Sequence, residues 1–169
     1  MTATKVEPKV VHATFVVERS LSKPTATVFA ALSDTRKVQR WMAPGSHSEL
    51  IEFSHDFQEG GQQFMRYKMG PSTPIAGAII TNEVRFQQIV PGERIVTVST
   101  MKMDGRIFSA SQVTFELMPT EAGTDLILTH QGAFFEGSDG PAGREHGWNV
   151  LADSIVALLN EPETQTAGE

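Results

Sequence analysis

The run TVSTMKMDGRIFSASQVTF, residues 97–115, decides the fold. At its centre, Asp104-Gly105 is the kind of pair that a two-residue hairpin turn demands, because a primed turn needs positive φ and these residue types tolerate it. On the first arm Ile95, Thr97, Ser99 and Met101 share a face, and on the second Ser109, Ser111, Val113, Phe115 and Leu117 do. Strands turn successive side chains to opposite sides, so each arm carries one face of apolar residues mixed with small hydroxyls. The reading is an antiparallel pair over about 94–103 and 106–118.

The same grammar extends on both sides. Upstream, strand-like segments cover about 47–57, 62–69 and 75–90, divided by Glu59-Gly60-Gly61 and by Gly70-Pro71-Ser72-Thr73-Pro74, with Pro91-Gly92 before the first arm. Downstream, Glu121-Ala122-Gly123 leads into 124–133. Six strands therefore follow one another as a meander. Ahead of them 12–20 reads as another strand that stops at Ser22-Lys23-Pro24. Pro24 suits a first helical turn with Ser22 as candidate cap, and Val28, Phe29 and Leu32 fall at buried-face spacing. Asp34 and Thr35 then open a second short helix carrying Val38 and Trp41, which ends before Pro44-Gly45. After a glycine-rich loop over 134–143, Trp148, Leu151, Ile155, Leu158 and Leu159 line one side of a long last helix. This order gives an α+β class: a curved antiparallel seven-stranded sheet with its helices on one side.

Length and composition agree with a single globular unit. The chain has 169 residues, 40% hydrophobic, with 14 basic against 20 acidic side chains and a net charge of -6. About 150 residues suffice to bury a core without staples, and no Cys is present to provide thiol catalysis, thiolate zinc sites or disulfides. The longest apolar stretch, Ile75 to Ile80, is far short of the ~20 residues a membrane helix needs, and no basic run offers itself to nucleic acid or anionic lipid. The expectation is a cytoplasmic protein with tails at 1–11 and 161–169 around one domain at 12–160.

A family resemblance rests on residues spread along that domain. They are Glu18-Arg19, Pro24, Val28-Phe29-Ala30-Ala31-Leu32-Ser33-Asp34, Trp41, Asp56, Gly60-Gly61, Phe64, Gly77, Pro91-Gly92-Glu93-Arg94-Ile95-Val96, Val113-Thr114-Phe115, Gly123-Thr124, Leu126 and Gly147-Trp148. In order and spacing the chain resembles domains of the activator-of-Hsp90-ATPase-homologue type, within the START/Bet v 1-like superfamily. The resemblance implies a helix-grip fold, a sheet gripping a long C-terminal helix, with an apolar cavity that in relatives holds lipids, sterols, polyketides or plant hormones. It transfers no ligand, since function must be argued from the site. The co-chaperone role is not expected to carry over, because the eukaryotic activator has an additional N-terminal domain for its client.

Alternation selects the candidate cavity residues. His130 shares a strand face with Leu126 and Leu128, so it reads as a polar anchor or acid/base inside a cavity, against the plainer reading of a hydrogen-bonded core histidine. Ser99, Met101, Ser109 and Ser111 lie on the apolar faces of the central hairpin, where a few polar groups among apolar walls suit a moderately polar ligand. Met65, Tyr67 and Met69 share one parity and Phe64 the other; a bulge after Gly60-Gly61 would exchange the two faces. Trp148 is placed near the cavity mouth, Trp41 across from it, and Arg144 on the helical face of Trp148, where it would greet an anionic ligand group or lie exposed.

His47 and His55 are about 27 Å apart along an extended strand, too far to share an ion, and no hydrolase elbow, phosphate loop or dinucleotide fingerprint occurs. No metal, cofactor or catalytic residue is assigned, and a homodimer is left open. The leading expectation is binding of a hydrophobic or amphipathic small molecule. The alternatives are a cyclase- or hydrolase-type enzyme in the same pocket, or an interaction or stress-response domain. A cavity below the ~300 Å³ typical of ligand pockets would favour the last of these.

Overall fold

A computed structural model describes residues 9–162. The expected tails at 1–11 and 161–169 fall largely outside the described residues. The elements are β1 (Val11–Leu21), α1 (Thr25–Ser33), α2 (Thr35–Met42), β2 (Ser48–His55), β3 (Gln62–Met69), β4 (Ile79–Val90), β5 (Arg94–Met103), β6 (Arg106–Pro119), β7 (Thr124–Phe134) and α3 (Gly140–Leu159). The strands form one antiparallel sheet in the order β1-β7-β6-β5-β4-β3-β2. Only β1, placed beside β7, departs from the meander.

The decisive hairpin forms as read. Asp104 has φ 50° and Gly105 φ 83°, the two positive angles that let the strands continue their natural twist through a tight turn. Ser99 stands opposite Ser111 and Thr97 opposite Val113, so the hydroxyl-and-apolar faces of the two arms are one surface. That surface continues through Leu126, Leu128 and His130 of β7 to Phe15 and Val17 of β1, and through Phe86, Val84 and Asn82 of β4 to Gln63 and Met65 of β3.

The helices cover this inner face. Val28, Ala31 and Leu32 of α1, Val38, Trp41 and Met42 of α2, and Ala152, Ile155 and Leu159 of α3 are buried against it. Asp34 caps α2 by accepting from the Lys37 backbone N–H at 3.1 Å. Ser22 does not cap α1; Pro24 occupies that position, with no side-chain cap bond. Arg19 on β1 ties α3 to the sheet, its Nε donating to Asp153 Oδ1 at 3.0 Å and its Nη2 to Asn149 Oδ1 at 3.1 Å.

Two boundaries differ from the sequence reading. The segment 71–78 makes turns, so β4 begins at Ile79. α3 starts at Gly140, with Pro141 in its first turn, and so takes in the end of the expected loop. A proline there sacrifices only an N–H that has no intrahelical acceptor.

Candidate functional site

The inner face has two unlike ends. Around Phe86, Ile95, Val113, Phe115, Leu126 and Leu128 nearly everything is buried, and α1, α2 and the second half of α3 fill the space. Toward the first turns of α3 the inward side chains become polar and partly open. Tyr67, Asn82, Ser99, Met101 and Ser111 are half-buried there, while Ser109, His130 and Arg144 are buried.

Arg144 organises this end. The residue is 7% exposed, with Nε and Nη2 donating to the two carboxylate oxygens of Asp139 at 2.8 and 2.9 Å. Nη2 also donates to Ser109 Oγ at 2.9 Å, and the cation lies 5.2 Å from the centre of the Phe134 ring. Planar two-point pairing with a carboxylate is the geometry for which guanidinium is suited, and it leaves the buried cation neutralised. The expectation of an exposed arginine, or one free to greet an anion, is therefore corrected: Asp139 already fills that role. The Tyr67 hydroxyl lies within the field of this pair, and burial pushes its pKa up.

His130, like Ser109 at this end, is 1% exposed. Its ring stacks on Phe15 at 4.6 Å, nearly parallel, and leans over Gly132, where an added Cβ would meet His130 Cε1 at 2.8 Å. The missing side chain at 132 is what makes room for the imidazole. Burial first, and the nearby Arg144 cation second, lower its pKa to about 4, so it is neutral across the physiological range. The plainer reading of a hydrogen-bonded core histidine fails in one respect: its Nδ1 has no partner.

Among the described residues, three buried side-chain polar atoms lack hydrogen-bond partners: His130 Nδ1, Ser111 Oγ and Asn82 Oδ1. All sit on inward-facing positions of the sheet. Such groups cost about 1–3 kcal/mol each when left unmade, so each is a point at which water or a guest would bond. Ser111 neighbours Gly132, over which the His130 ring leans, and Asn82 lies two strands away and two residues further along, about 12 Å at ordinary strand geometry.

The other sequence-selected residues frame this cluster or stand apart from it. Met65 and Tyr67 do face inward, since β3 pairs with β4 without interruption from Gln62 to Lys68. Phe64 faces outward beneath the Arg66 guanidinium, 5.1 Å from its ring. Trp148 packs edge-on against Phe115 at 5.9 Å and is half-buried at the inner margin. Trp41 belongs to the packed end, where its Nε1 donates to the Ala31 carbonyl at 2.9 Å.

Sequence reading missed Asn82 and Asp139. Asn82 alternates with Val84 and Phe86, a parity that would have placed it inward; Asp139 lies in the glycine-rich segment read as loop. His55 bridges Gln63 Oε1 at 2.8 Å and the Ser33 carbonyl at 3.1 Å, linking β2 to α1. Among the described residues no three His, Asp or Glu side chains gather as metal ligands do.

Hollows lie on both faces of the sheet. The enclosed one between sheet and helices holds about 50 Å³ and is bounded mostly by packed-end residues, Trp41, Phe86, Ile95 and Phe115 among them, together with Asn82 and Ser99. The second is an open groove of about 940 Å³ across the outer face of the sheet, touching Thr14, Phe64, Arg85, Thr100, Gln112 and Gln131. No described helix is long and apolar enough to cross a membrane.

The profile of the family described as activator of Hsp90 ATPase homolog 1-like protein matches residues 22–160. Nothing matches among curated proteins. Among solved structures, a protein from Rhizobium loti is 38% identical, with a TM-score of 0.78 over 88% of this chain and 98% of that one. A Rhizobium leguminosarum protein is 29% identical, with a TM-score of 0.79 over 89% and 95%. An AHSA1-like protein from Aeromonas hydrophila, at 20% identity and a TM-score of 0.63 over 90% and 99%, shares the fold.

Proposed function

This chain belongs to the activator of Hsp90 ATPase homolog 1-like family, and on that premise we propose that it binds a small amphipathic molecule at the polar end of its inner face. The observation that carries the proposal is the set of unpartnered buried atoms on Asn82, Ser111 and His130. Each is held on a different strand of a rigid sheet, which is how a binding site fixes the orientation of a guest. Met65, Met101 and Trp148 supply apolar wall, and methionine side chains adapt readily to a guest's shape.

The same geometry argues for a modest guest. The enclosed hollow of about 50 Å³ reaches Asn82 and Ser99 but not Ser111 or His130, and it is too small for a sterol, so a ligand at the polar end enters by moving the half-buried Met101 and Trp148 side chains. It also argues against acid–base catalysis by His130. With its pKa at about 4 the imidazole is a weak base near neutral pH, and no imidazolium is present there to act as a general acid.

A thermal panel tests the proposal. A ligand at ~100 times its Kd adds about 2.7 kcal/mol, which raises the melting midpoint of a domain this size by roughly 5–11 °C. Such a shift with small aromatic or terpenoid alcohols supports the proposal, and no shift with any compound contradicts it. The small cavity favours one second reading, an interaction domain whose working surface is elsewhere. It predicts a flat panel together with capture of a protein partner that survives the His130→Ala change.

A further inference from the structure

The polar end contains a cation, yet nothing about it asks for an anion. Arg144 offers two of its nitrogens to both oxygens of Asp139, and one of these also reaches Ser109. The buried charge is thus answered from within the chain. A carboxylate entering here would have to compete with Asp139 for a planar two-point partner, while giving up its own water.

The unanswered groups are all neutral. Asn82 presents an amide oxygen, Ser111 a hydroxyl and His130 a ring nitrogen. An amide oxygen accepts, a hydroxyl both donates and accepts, and an uncharged imidazole nitrogen does one or the other according to tautomer. A guest hydroxyl, which is itself donor and acceptor, can satisfy any of them; a carboxylate gives Asn82 Oδ1 no donor and faces it with like polarity. An ammonium fares no better, since it would sit in the field of Arg144 without a free carboxylate to pair with.

We infer that the site selects ligands whose polar end is an uncharged hydroxyl, of the phenol or alcohol class, and discriminates against the corresponding carboxylic acids and amines. The inference rests on the binding reading given above. The low pKa of His130 is consistent with it, because protonating that ring would add a second buried cation beside Arg144.

The test uses one apolar body with three polar ends: naphthalene carrying a hydroxyl, a carboxylate or an aminomethyl group at the same carbon, titrated calorimetrically at neutral pH. The hydroxyl compound is expected to bind at least about tenfold more tightly than either charged one, a discrimination typical of leaving buried polar groups unmet. Equal or tighter binding of the carboxylate overturns the inference while leaving the binding site standing. Failure of all three to bind overturns the binding reading itself.

Two variants sharpen the result. Asp139→Asn frees Arg144 from its carboxylate with little change of shape, so the preference should swing by about tenfold or more toward the naphthoate. Ser111→Ala should weaken the hydroxyl compound several-fold and leave the carboxylate unchanged. An Asp139→Asn protein that folds and keeps the original preference contradicts the role given to the ion pair; should it not fold, the wild-type series and Ser111→Ala still decide the question.

Discussion

The two ends of the inner face are built on the same strands and differ in what answers their side chains. At the packed end Thr97 Oγ1 donates to the Val113 carbonyl at 3.3 Å and Trp41 to that of Ala31, so even the polar atoms there are satisfied within the fold. Two positions along β6 from Val113, Ser111 Oγ is buried without a partner, as are Asn82 Oδ1 on β4 and His130 Nδ1 on β7. The two ends are thus separated by hydrogen-bond satisfaction more than by hydrophobicity: the first meets its polar atoms within the fold, and the second leaves those of Asn82, Ser111 and His130 unmet.

The largest expected effect comes from breaking the packed end. Ile155 has no exposure, so Ile155→Ala should cost about 4 kcal/mol and lower the melting midpoint by roughly 10 °C, without changing hydroxyl-ligand affinity in protein that remains folded. Differential scanning calorimetry and titration on the same preparation check both halves.

Next is the ion pair at the polar end. Asp139→Ala leaves a buried guanidinium without its carboxylate and should cost about 3 kcal/mol, toward the low side for a buried pair because the Asp139 side chain is 38% exposed. Denaturant unfolding measures it. A loss no larger than that of a surface ion pair would mean that Arg144 finds water instead.

The third contrast is in pH. The folded pKa of His130 is about 4 and its unfolded value 6.5, so the unfolded chain takes up a proton first as pH falls. His130 therefore favours the native state fully above about pH 6.5. That advantage declines by about 1.4 kcal/mol per pH unit and is spent near pH 4, a total of about 3 kcal/mol. His130→Phe, which keeps an aromatic ring beside Phe15, should flatten the stability profile over that interval. An unchanged slope would place the acid sensitivity in other groups.

The smallest pair is the most diagnostic of the two ends. Thr97→Val removes a satisfied hydroxyl and should cost about 1 kcal/mol, while Ser111→Ala removes an unsatisfied one and should cost under about 0.5 kcal/mol or stabilise. Equal losses would mean that a tightly held water makes the two sites alike.

Much of the fold was legible because local chemistry and burial pattern agree. Asp104-Gly105 demands its turn, alternation puts Ser99, Ser111 and His130 inward, and the face through Ile155 and Leu159 marks the final helix. The site was only half legible. Alternation tells which way Ser111 points, but whether its hydroxyl finds a partner depends on strands remote in sequence. Arg144 shows the same limit: its burial follows from Asp139, Ser109 and Phe134 converging on one guanidinium, and only the first of these is its neighbour in the chain. The boundary of α3 was missed because glycines in 137–143 read as loop, although Pro141 suits a first helical turn.

The most direct measurement is a chemical-shift map of isotopically labelled protein titrated with the hydroxyl-bearing naphthalene. The account predicts perturbations centred on Asn82, Ser99, Ser111, His130 and Arg144, with Leu126 and Ile155 of the packed end barely affected. Shifts confined to Thr14, Thr100, Gln112 and Gln131 in the outer groove, or none at all, would contradict it.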